Sequence, residues 1–178
     1  MRTTFVSVDE IRLGPKLNSC VYLRACIDEA MRLTPPGGAT FWRVVETGGT
    51  SIGGTFIPEG CEVGVGTYIM HHHPSYWDKP FSFTPERWLE ERVGSRAPYF
   101  PFNIGSRGCV GKPLAIAQLM LSFSRLLWEF DFRAAEGGQS PAPNDPQSGS
   151  DEKFEEYVLK DHIVGQGDGP IMYFKARH

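Results

Sequence analysis

The residues best suited to chemistry lie in the segment PFNIGSRGCVG, residues 101–111, which contains Cys109. Cys109 stands just before a predicted helix, whose positive N-terminal end favours the thiolate form of the sulfur. A thiolate is a strongly electron-donating axial ligand for iron. Arg107 offers donors suited to a carboxylate, Phe102 offers an aromatic wall, and Gly111 lets the backbone approach a flat group closely. The pattern predicts ligation of a flat, anionic, iron-centred cofactor. A glycine-rich turn that only contains a buried cysteine is the alternative.

A second candidate group consists of charged residues. Glu29 and Arg32 lie three residues apart in a predicted helix, so their side chains share one face and can pair. Arg87 follows in the sequence PERW at residues 85–88. Taken alone, an E-x-x-R spacing is typical of solvated surface charges, so the surface interpretation remains open at this point.

Two further motifs resemble ligand-binding sites, but their sequence context favours a structural role. His71, His72 and His73 are consecutive, and adjacent side chains of the expected strand would point to opposite faces. No cysteine or carboxylate stands near them at metal-ligand spacing. The sequence GQGDG at residues 165–169 lacks the lysine and the helix that follow a phosphate-binding loop, so we interpret it as a turn.

Hydrophobic periodicity predicts two long helices, at residues 18–33 and 112–130. The first should end before two consecutive prolines, and the second is so apolar that we expect it to be buried. A capping box of Ser7 and Glu10 predicts an earlier short helix that Gly14 and Pro15 end. This abrupt beginning leads us to expect further sequence upstream.

The remaining elements are short strands and turns. β-type runs occur at residues 40–45, 55–57 and 61–68, and the turn at 58–60 predicts a hairpin between the last two. Another hairpin is predicted from residues 157–164 and 171–176. Residues 71–101 show no sustained period, and the Gly-, Pro- and Ser-rich residues 134–150 predict a flexible loop. Together these elements predict an α+β fold that is mainly helical.

Bulk composition excludes several classes of protein. The 178 residues carry a formal net charge of -3, and no basic cluster suggests nucleic-acid binding. The N-terminal residues contain no apolar run long enough for a signal peptide or a membrane span. The four cysteines form no CxxC pair, which argues against a zinc ribbon or a covalent haem attachment site and favours a reducing compartment.

The loop around Cys109 resembles the haem-binding signature of the cytochrome P450 family. The family pattern F-x-x-G-x-R-x-C-x-G is matched in full by five residues: Phe102, Gly105, Arg107, Cys109 and Gly111. The order E-x-x-R, then PERW, then the cysteine loop is also that of the family. The resemblance implies the C-terminal part, residues 1–178, of a single P450 domain, with an E-x-x-R helix, small β-hairpins, a meander, the ligand loop and a buried proximal helix.

The resemblance also implies roles for individual residues. Glu29, Arg32 and Arg87 would form a buried salt-bridge triad that fixes the loop beneath the haem, and this role is structural. Cys109 would be the axial ligand of the iron in haem b. Arg107 and Arg43 would bind the haem propionates, although an arginine at a strand edge facing water is the alternative for Arg43. Gln118 stands where many relatives have glutamate.

By the same resemblance, the function would be O2-dependent oxidation of a small, apolar organic substrate, with electrons from NADPH-cytochrome P450 reductase. A full-length relative would lie on the cytosolic face of the endoplasmic reticulum, held by an anchor that this chain lacks. The central helix on the distal haem face is also expected upstream. The HHHPSYW and PERW segments are most similar to fungal members. The alternative function is a catalytically inactive haem-binding or structural fragment.

Overall fold

The computed structural model describes residues 2–89, 98–135, 159–160, 166–167 and 171–177. Short 3-10 turns occur at Val8–Glu10, Pro85–Trp88 and Gly105–Arg107. The α-helices of this part are α1 (Pro15–Asn18), α2 (Val21–Leu33), α3 (Thr67–His71) and α4 (Lys112–Glu129). Its strands are β1 (Arg43–Val44), β2 (Thr50–Ile52), β3 (Thr55–Ile57), β4 (Glu62–Val63), β5 (Phe130–Ala134), β6 (Leu159–Lys160), β7 (Gln166–Gly167) and β8 (Met172–Ala176).

Helix α2 begins three residues later than predicted. The chain leaves helical geometry at Cys20, with ψ at 62°, and the Ser19 hydroxyl donates to the Lys16 carbonyl to close α1 (2.8 Å). Pro15 occupies the first turn of α1, where its missing N–H costs no hydrogen bond. The prediction that Gly14 and Pro15 end a helix was therefore wrong, because they begin one. The predicted end of α2 before the prolines is confirmed.

The capping box predicted at Ser7 and Glu10 does not form. Ser7 makes no side-chain capping bond to the 3-10 turn that follows it. The Glu10 carboxylate instead accepts the Val6 N–H at 3.1 Å and pairs with Lys16 at 2.6 Å. The glutamate thus reaches one residue further back than a capping box requires.

The strands after α2 pair differently from the prediction. Strand β3 pairs with β2, across a turn in which Gly53 and Gly54 both have positive φ (58° and 83°). Two such residues suit the tight turn of a two-residue hairpin. Strand β4 pairs with β1, so the predicted hairpin between residues 55–57 and 61–68 was wrong. Residues 67–71 are helical rather than extended.

The C-terminal strand β8 pairs antiparallel with β5 over five residue pairs, from Phe130 opposite Ala176 to Ala134 opposite Met172. Strand β6 pairs with β7. The predicted hairpin of residues 157–164 with 171–176 was therefore wrong, because a distant strand supplies the partner. Of the predicted flexible loop 134–150, Ala134 is instead the last residue of β5, and the N–H of the next residue, Ala135, donates to the Ile171 carbonyl at 2.9 Å. The others lie outside the described residues.

Helix α4 confirms the predicted element but not its predicted burial. Met120 and Ser124 are its buried residues, whereas Leu114 is 73 % exposed and Phe123 is 45 % exposed. The core lies between α2, α4 and the N-terminal segment, and its buried members are Phe5, Ile11, Leu17, Cys20, Ile27, Met31 and Met120. Among the described residues, no helix combines the length and apolar character needed to cross a membrane.

Candidate functional site

The backbone of the cysteine loop is held by hydrogen bonds within the loop. The Asn103 N–H donates to the Phe100 carbonyl at 2.9 Å, and the Cys109 N–H donates to the Phe102 carbonyl at 2.8 Å. Two residues adopt positive φ, Asn103 at 60° and Gly105 at 68°. Glycine adopts this conformation without steric cost, and asparagine tolerates it better than most residues. The loop therefore returns on itself and places Cys109 next to Phe102.

The Cys109 side chain is exposed and is a free thiol. Gly111 is the N-cap of α4, and the Ala115 N–H donates to the Gly111 carbonyl at 2.9 Å. A methyl group added at Gly111 would lie 3.6 Å from the Cys109 sulfur. Cys109 therefore lies at the positive end of a helix of 18 residues, with its sulfur accessible to a ligand.

The aromatic residue and the cationic residue of the motif, Phe102 and Arg107, differ in burial. Phe102 is partly buried and packs against the core cluster that α2 and α4 share. Arg107 ends the 3-10 turn and is exposed. The structure thus fastens the loop to the core through Phe102 and leaves the Arg107 guanidinium on the surface with Cys109.

Arg43 lies on β1, and its Nη1 donates to the Trp42 carbonyl at 2.9 Å. It lines a cavity of about 830 Å³ together with residues of the cysteine loop, Asn103 and Ile104. Most of the other lining side chains are apolar, among them Phe41, Trp42, Ile52, Ile57, Val63, Val65, Met70 and Phe100. The structure therefore brings Arg43 and the cysteine loop to the same largely apolar cavity.

Glu29, Arg32 and Arg87 form one ion-pair network. Arg32 binds the Glu29 carboxylate through two bonds, from Nε to Oε2 and from Nη2 to Oε1, both 2.9 Å long. Arg87 Nε donates to Glu29 Oε1 at 3.1 Å. The side chains of Glu29 and Arg32 are fully buried, and that of Arg87 is 9 % exposed. The surface-charge alternative for this motif is therefore wrong.

Five donors converge on the Glu29 carboxylate. Besides the arginines, the Thr84 N–H donates to Oε1 at 3.0 Å and the Trp88 indole donates to Oε2 at 2.9 Å. Burial raises the pKa of Glu29, but the bonds from Arg32 and Thr84 outweigh burial, so the net pKa is lowered. A carboxylate held in this way stays ionised inside the protein.

Further donors of the two arginines bind backbone carbonyls, whereas Arg87 Nη2 is buried without a hydrogen-bond partner among the described residues. Arg32 Nη1 donates to the carbonyls of His71 (2.8 Å) and Pro80 (2.7 Å). Arg87 Nη1 donates to the Asp78 carbonyl at 3.0 Å. Both guanidinium groups also lie over the ring of Trp77, which is 1 % exposed. The network therefore ties α2 to the irregular residues 71–89.

The structure adds site residues that sequence reasoning missed. Thr84 contributes only a backbone N–H, which no residue type could reveal. Trp88 lies within the PERW motif, and its indole N–H was the sequence feature that could have suggested a hydrogen bond to the network. Asp28, next to Glu29, accepts the Tyr99 hydroxyl at 2.9 Å, and burial together with this carboxylate raises the pKa of Tyr99. No spacing rule connects residues 71 positions apart.

His71 is the last residue of α3 and His72 and His73 follow it, so the alternation argument, which assumed a strand, was wrong. His71 is fully buried, and its Nε2 accepts the Phe100 N–H at 3.0 Å. His72 Nδ1 lies 2.8 Å from the Tyr68 carbonyl, and the His73 ring lies beside Tyr76. In the described part of the chain, no three His, Cys, Asp or Glu side chains are grouped so that they could hold a metal ion.

Comparison with known proteins assigns the chain to a family. The family model for cytochrome P450 matches residues 15–154, which include the network and the cysteine loop. The chain belongs to the cytochrome P450 family. Membership implies a haem cofactor and an α+β fold made of helices and small sheets.

Individual P450 relatives agree with this assignment. The chain is 54 % identical to the cytochrome P450 monooxygenase lcsN of Purpureocillium lilacinum, covering 99 % of this chain and 53 % of the relative. It is 43 % identical to the cytochrome P450 monooxygenase poxM of Penicillium oxalicum, covering 98 % and 32 %. A zebrafish cytochrome P450 structure with abiraterone superposes with a TM-score of 0.70 at 30 % identity, covering 99 % and 39 %. The chain therefore spans about half, or less, of each relative's length.

The residues of the candidate site fit a haem. Cys109 supplies an accessible sulfur donor, which is an axial ligand type suited to haem iron. Two exposed guanidiniums, Arg107 and Arg43, supply charges opposite to those of the haem propionates. The cavity shared by Arg43 and Ile104 is lined mainly by apolar side chains, as the face of a macrocycle requires.

Proposed function

We propose that the protein carrying this chain is a haem-thiolate monooxygenase, which inserts one oxygen atom from O2 into an organic substrate with electrons from a reductase. The observation that carries the proposal is the cysteine loop, in which an exposed free Cys109 precedes α4 on a backbone closed by its own hydrogen bonds. Haem, when bound, supplies the iron at which O2 is activated.

Four residues of the cysteine loop, together with Arg43 of β1, have separate tasks in this proposal. Cys109 donates its sulfur to the iron, and the N-terminal end of α4 stabilises the negative charge of that sulfur. Gly111 keeps the space beside the sulfur free of a side chain, since even a methyl group there would lie at van der Waals distance. Arg107 and Arg43 bind the propionates, and Phe102 keeps the loop fastened to the core.

The Glu29–Arg32–Arg87 network has a supporting task. It joins α2 to residues 71–89, and those residues contact the segment that leads into the cysteine loop. The network touches neither Cys109 nor the shared cavity in any of its bonds among the described residues. Its proposed role is to keep the proximal side of the site rigid, so that binding of the haem does not have to order this region.

Several finer features belong to the same proposal. The haem is haem b, the type that the family resemblance implies, and the lack of a CxxCH segment in this sequence is in keeping with a haem that is not covalently attached. The electron donor is NADPH-cytochrome P450 reductase, and the complete protein lies at the endoplasmic reticulum membrane. The substrate is small and mainly apolar, in keeping with the apolar lining of the cavity beside Arg43.

The proposal can be tested by the absorption spectrum of the reduced protein with carbon monoxide. The full-length protein, expressed with haem, should give the red-shifted Soret band of a thiolate-ligated complex. Cys109→Ser should abolish the band, whereas Cys61→Ser and Cys20→Ser should keep it. A wild-type protein that binds haem without this band, or a Cys109→Ser protein that retains it, would refute the proposal.

One observation favours a second candidate, a catalytically inactive haem-binding or structural protein. Apolar residues of α4 and of its approach are exposed, including Leu114 at 73 % and Val110 at 97 %. Exposed apolar surface of this kind suits a protein that acts by binding a partner. The two candidates differ in turnover. The monooxygenase consumes reducing equivalents and O2 when the reductase and a substrate are present, and the inactive protein gives the spectrum without consumption.

A further inference from the structure

Residues 98–100 lead into the cysteine loop, and side chains from two helices hold them; we call them the lead segment. Tyr99 and Phe100 are both partly buried. Neither belongs to the matched haem-binding motif, and the ion-pair network does not include them. The contacts of these two residues nevertheless connect the network to the loop.

Asp28 of α2 holds the Tyr99 side chain. The Tyr99 hydroxyl donates to Asp28 Oδ1 at 2.9 Å, and Arg24 Nε donates to the other oxygen, Oδ2, at 2.7 Å. Asp28 is 8 % exposed. The Trp88 ring lies 4.5 Å from the Tyr99 ring, centroid to centroid, and the same indole donates to Glu29. Tyr99 is therefore fixed at its hydroxyl and along its ring.

His71 of α3 holds the Phe100 backbone. The Phe100 N–H donates to His71 Nε2 at 3.0 Å, which requires a neutral ring with its proton on Nδ1. The His71 ring also packs against the rings of Tyr99 (5.5 Å) and Phe100 (5.2 Å). Its carbonyl accepts from Arg32 Nη1. A single buried histidine thus joins the ion-pair network to the lead segment.

The lead segment is joined to the ligand by short backbone links. The Phe100 carbonyl accepts the Asn103 N–H, and the Phe102 carbonyl accepts the Cys109 N–H. A shift of Phe100 would therefore pass through two hydrogen bonds to the backbone of Cys109. The imidazole at position 71 acts as an acceptor that a space-filling side chain could not replace.

We propose that His71 and Asp28 are positioning residues that fix the lead segment and thereby set where the Cys109 sulfur meets the haem iron. This inference rests on the proposed haem-thiolate function and deepens it. It predicts that loss of the acceptor at position 71 loosens the loop, while loss of the ring with retention of an acceptor does not.

The first experiment needs no haem and measures hydrogen exchange at the Phe100 amide in the full-length protein before haem is added. His71→Phe keeps an aromatic ring and removes the acceptor, so exchange at Phe100 should become about tenfold faster. His71→Gln offers an amide oxygen in place of Nε2 and should restore most of the protection. His72→Phe is the matched control, because His72 is also buried but its ring nitrogen bonds within α3.

The second experiment follows the ligand itself in the haem-loaded protein. The fraction of the reduced carbon monoxide complex with the thiolate Soret band should fall at least about threefold in His71→Phe. It should recover in His71→Gln and stay at the wild-type level in His72→Phe. Wild-type exchange and a wild-type thiolate fraction in His71→Phe would overturn the inference, as would a loss that His71→Gln fails to reverse.

A further variant covers the case in which His71→Phe does not fold. Tyr99→Phe removes one hydroxyl and keeps the ring that packs against Trp88. The thiolate fraction should fall in this variant, and an unchanged fraction would contradict the role of Asp28. If the wild-type protein lacks the thiolate band altogether, the proposed function fails. The exchange experiment then still decides whether His71 holds the lead segment.

Discussion

Charged side chains of helix α2 are buried, whereas apolar side chains of helix α4 are exposed. In α2 the charged residues Glu29 and Arg32 are fully buried, and Asp28 is 8 % exposed. In α4, which is the more apolar helix, Leu114 is 73 % exposed and Phe123 is 45 % exposed. From hydropathy alone, the charged residues of α2 would be expected on the surface and the apolar residues of α4 in the interior.

The difference teaches that the partners of a side chain decide its burial more than its own polarity does. Each charge in α2 meets a matched group, because the Glu29 carboxylate accepts five donors and Arg32 donates to three carbonyl oxygens besides. The α4 side chains of Leu114 and Phe123 remain exposed in the described part of the chain. Buried charge is tolerated where opposite charges and hydrogen bonds compensate for its removal from water.

The largest effect should come from removing the centre of the α2 network. Glu29→Gln keeps the shape of the side chain but leaves two buried guanidinium groups without a counter-charge. We expect the free energy of unfolding to fall by about 3 to 5 kcal/mol. Urea denaturation followed by circular dichroism measures this change.

The matched control for Glu29→Gln is Glu10→Gln, which breaks the exposed pair with Lys16. Exposed pairs contribute little, so its denaturation curve should overlay that of the wild type. Equal losses in the two variants would mean that burial of the α2 network does not determine its contribution to stability.

The α2 side of the molecule should also be the acid-sensitive side, through His71. Burial disfavours the imidazolium and lowers the pKa of His71 from 6.5 to about 4. Between these values the unfolded chain binds a proton that the folded chain excludes, so stability rises with pH and is lost as pH falls. The loss should be about 3 kcal/mol from pH 7 to pH 4.

Urea midpoints measured across this pH range test the prediction for His71. His71→Phe should remove most of the slope between pH 6.5 and pH 4, even if its stability at pH 7 is lower. His73→Phe, at an exposed position, should leave the slope unchanged. A slope that persists in His71→Phe would assign the acid sensitivity to other groups.

Within α4, two substitutions should separate its buried face from its exposed face. Met120→Ala opens a cavity at a residue that is 4 % exposed and should cost about 2 kcal/mol or more. Leu114→Gln changes an exposed position and should cost less than about 0.5 kcal/mol. Thermal denaturation of both variants checks the comparison. A larger loss for Leu114→Gln would mean that the exposed face is covered in solution.

A smaller effect than that of Met120→Ala should come from the loop that precedes α4. Gly105 has φ of +68°, and an added methyl group would meet no atom within 4 Å. Gly105→Ala should therefore cost about 1 kcal/mol through backbone strain alone. Gly38→Ala, where the nearest atoms lie at an ordinary 3.6 Å, should be close to neutral. Equal unfolding free energies for the two variants would show that the loop relaxes around position 105.

Much of this arrangement could be predicted from the sequence, because some signals are local. The period of apolar residues predicted α4 almost to the residue, and the prolines at 35 and 36 predicted the end of α2. The spacing of Glu29 and Arg32 predicted that they can pair. Their burial followed only from the family resemblance, since a spacing does not specify what covers a helix face.

The remaining features depend on contacts between distant residues. Strand β8 found its partner in β5, about 40 residues earlier, so neither strand's own sequence could identify the pairing. The bonds of Asp28 with Tyr99 and of His71 with Phe100 likewise join separate segments. Sequence patterns also placed His71 in a strand, which hid its position at the end of α3.

The five donors on Glu29 also constrain the order in which the chain can fold. The bond from Arg32 spans three residues and can form as soon as the helix turn forms. The bonds from Thr84 and Trp88 span 55 and 59 residues. Closing such long loops is slow compared with forming a helix turn. Water must therefore occupy the distant donors' places on the carboxylate until residues 84–88 arrive. Expulsion of that water should accompany the later assembly of this region.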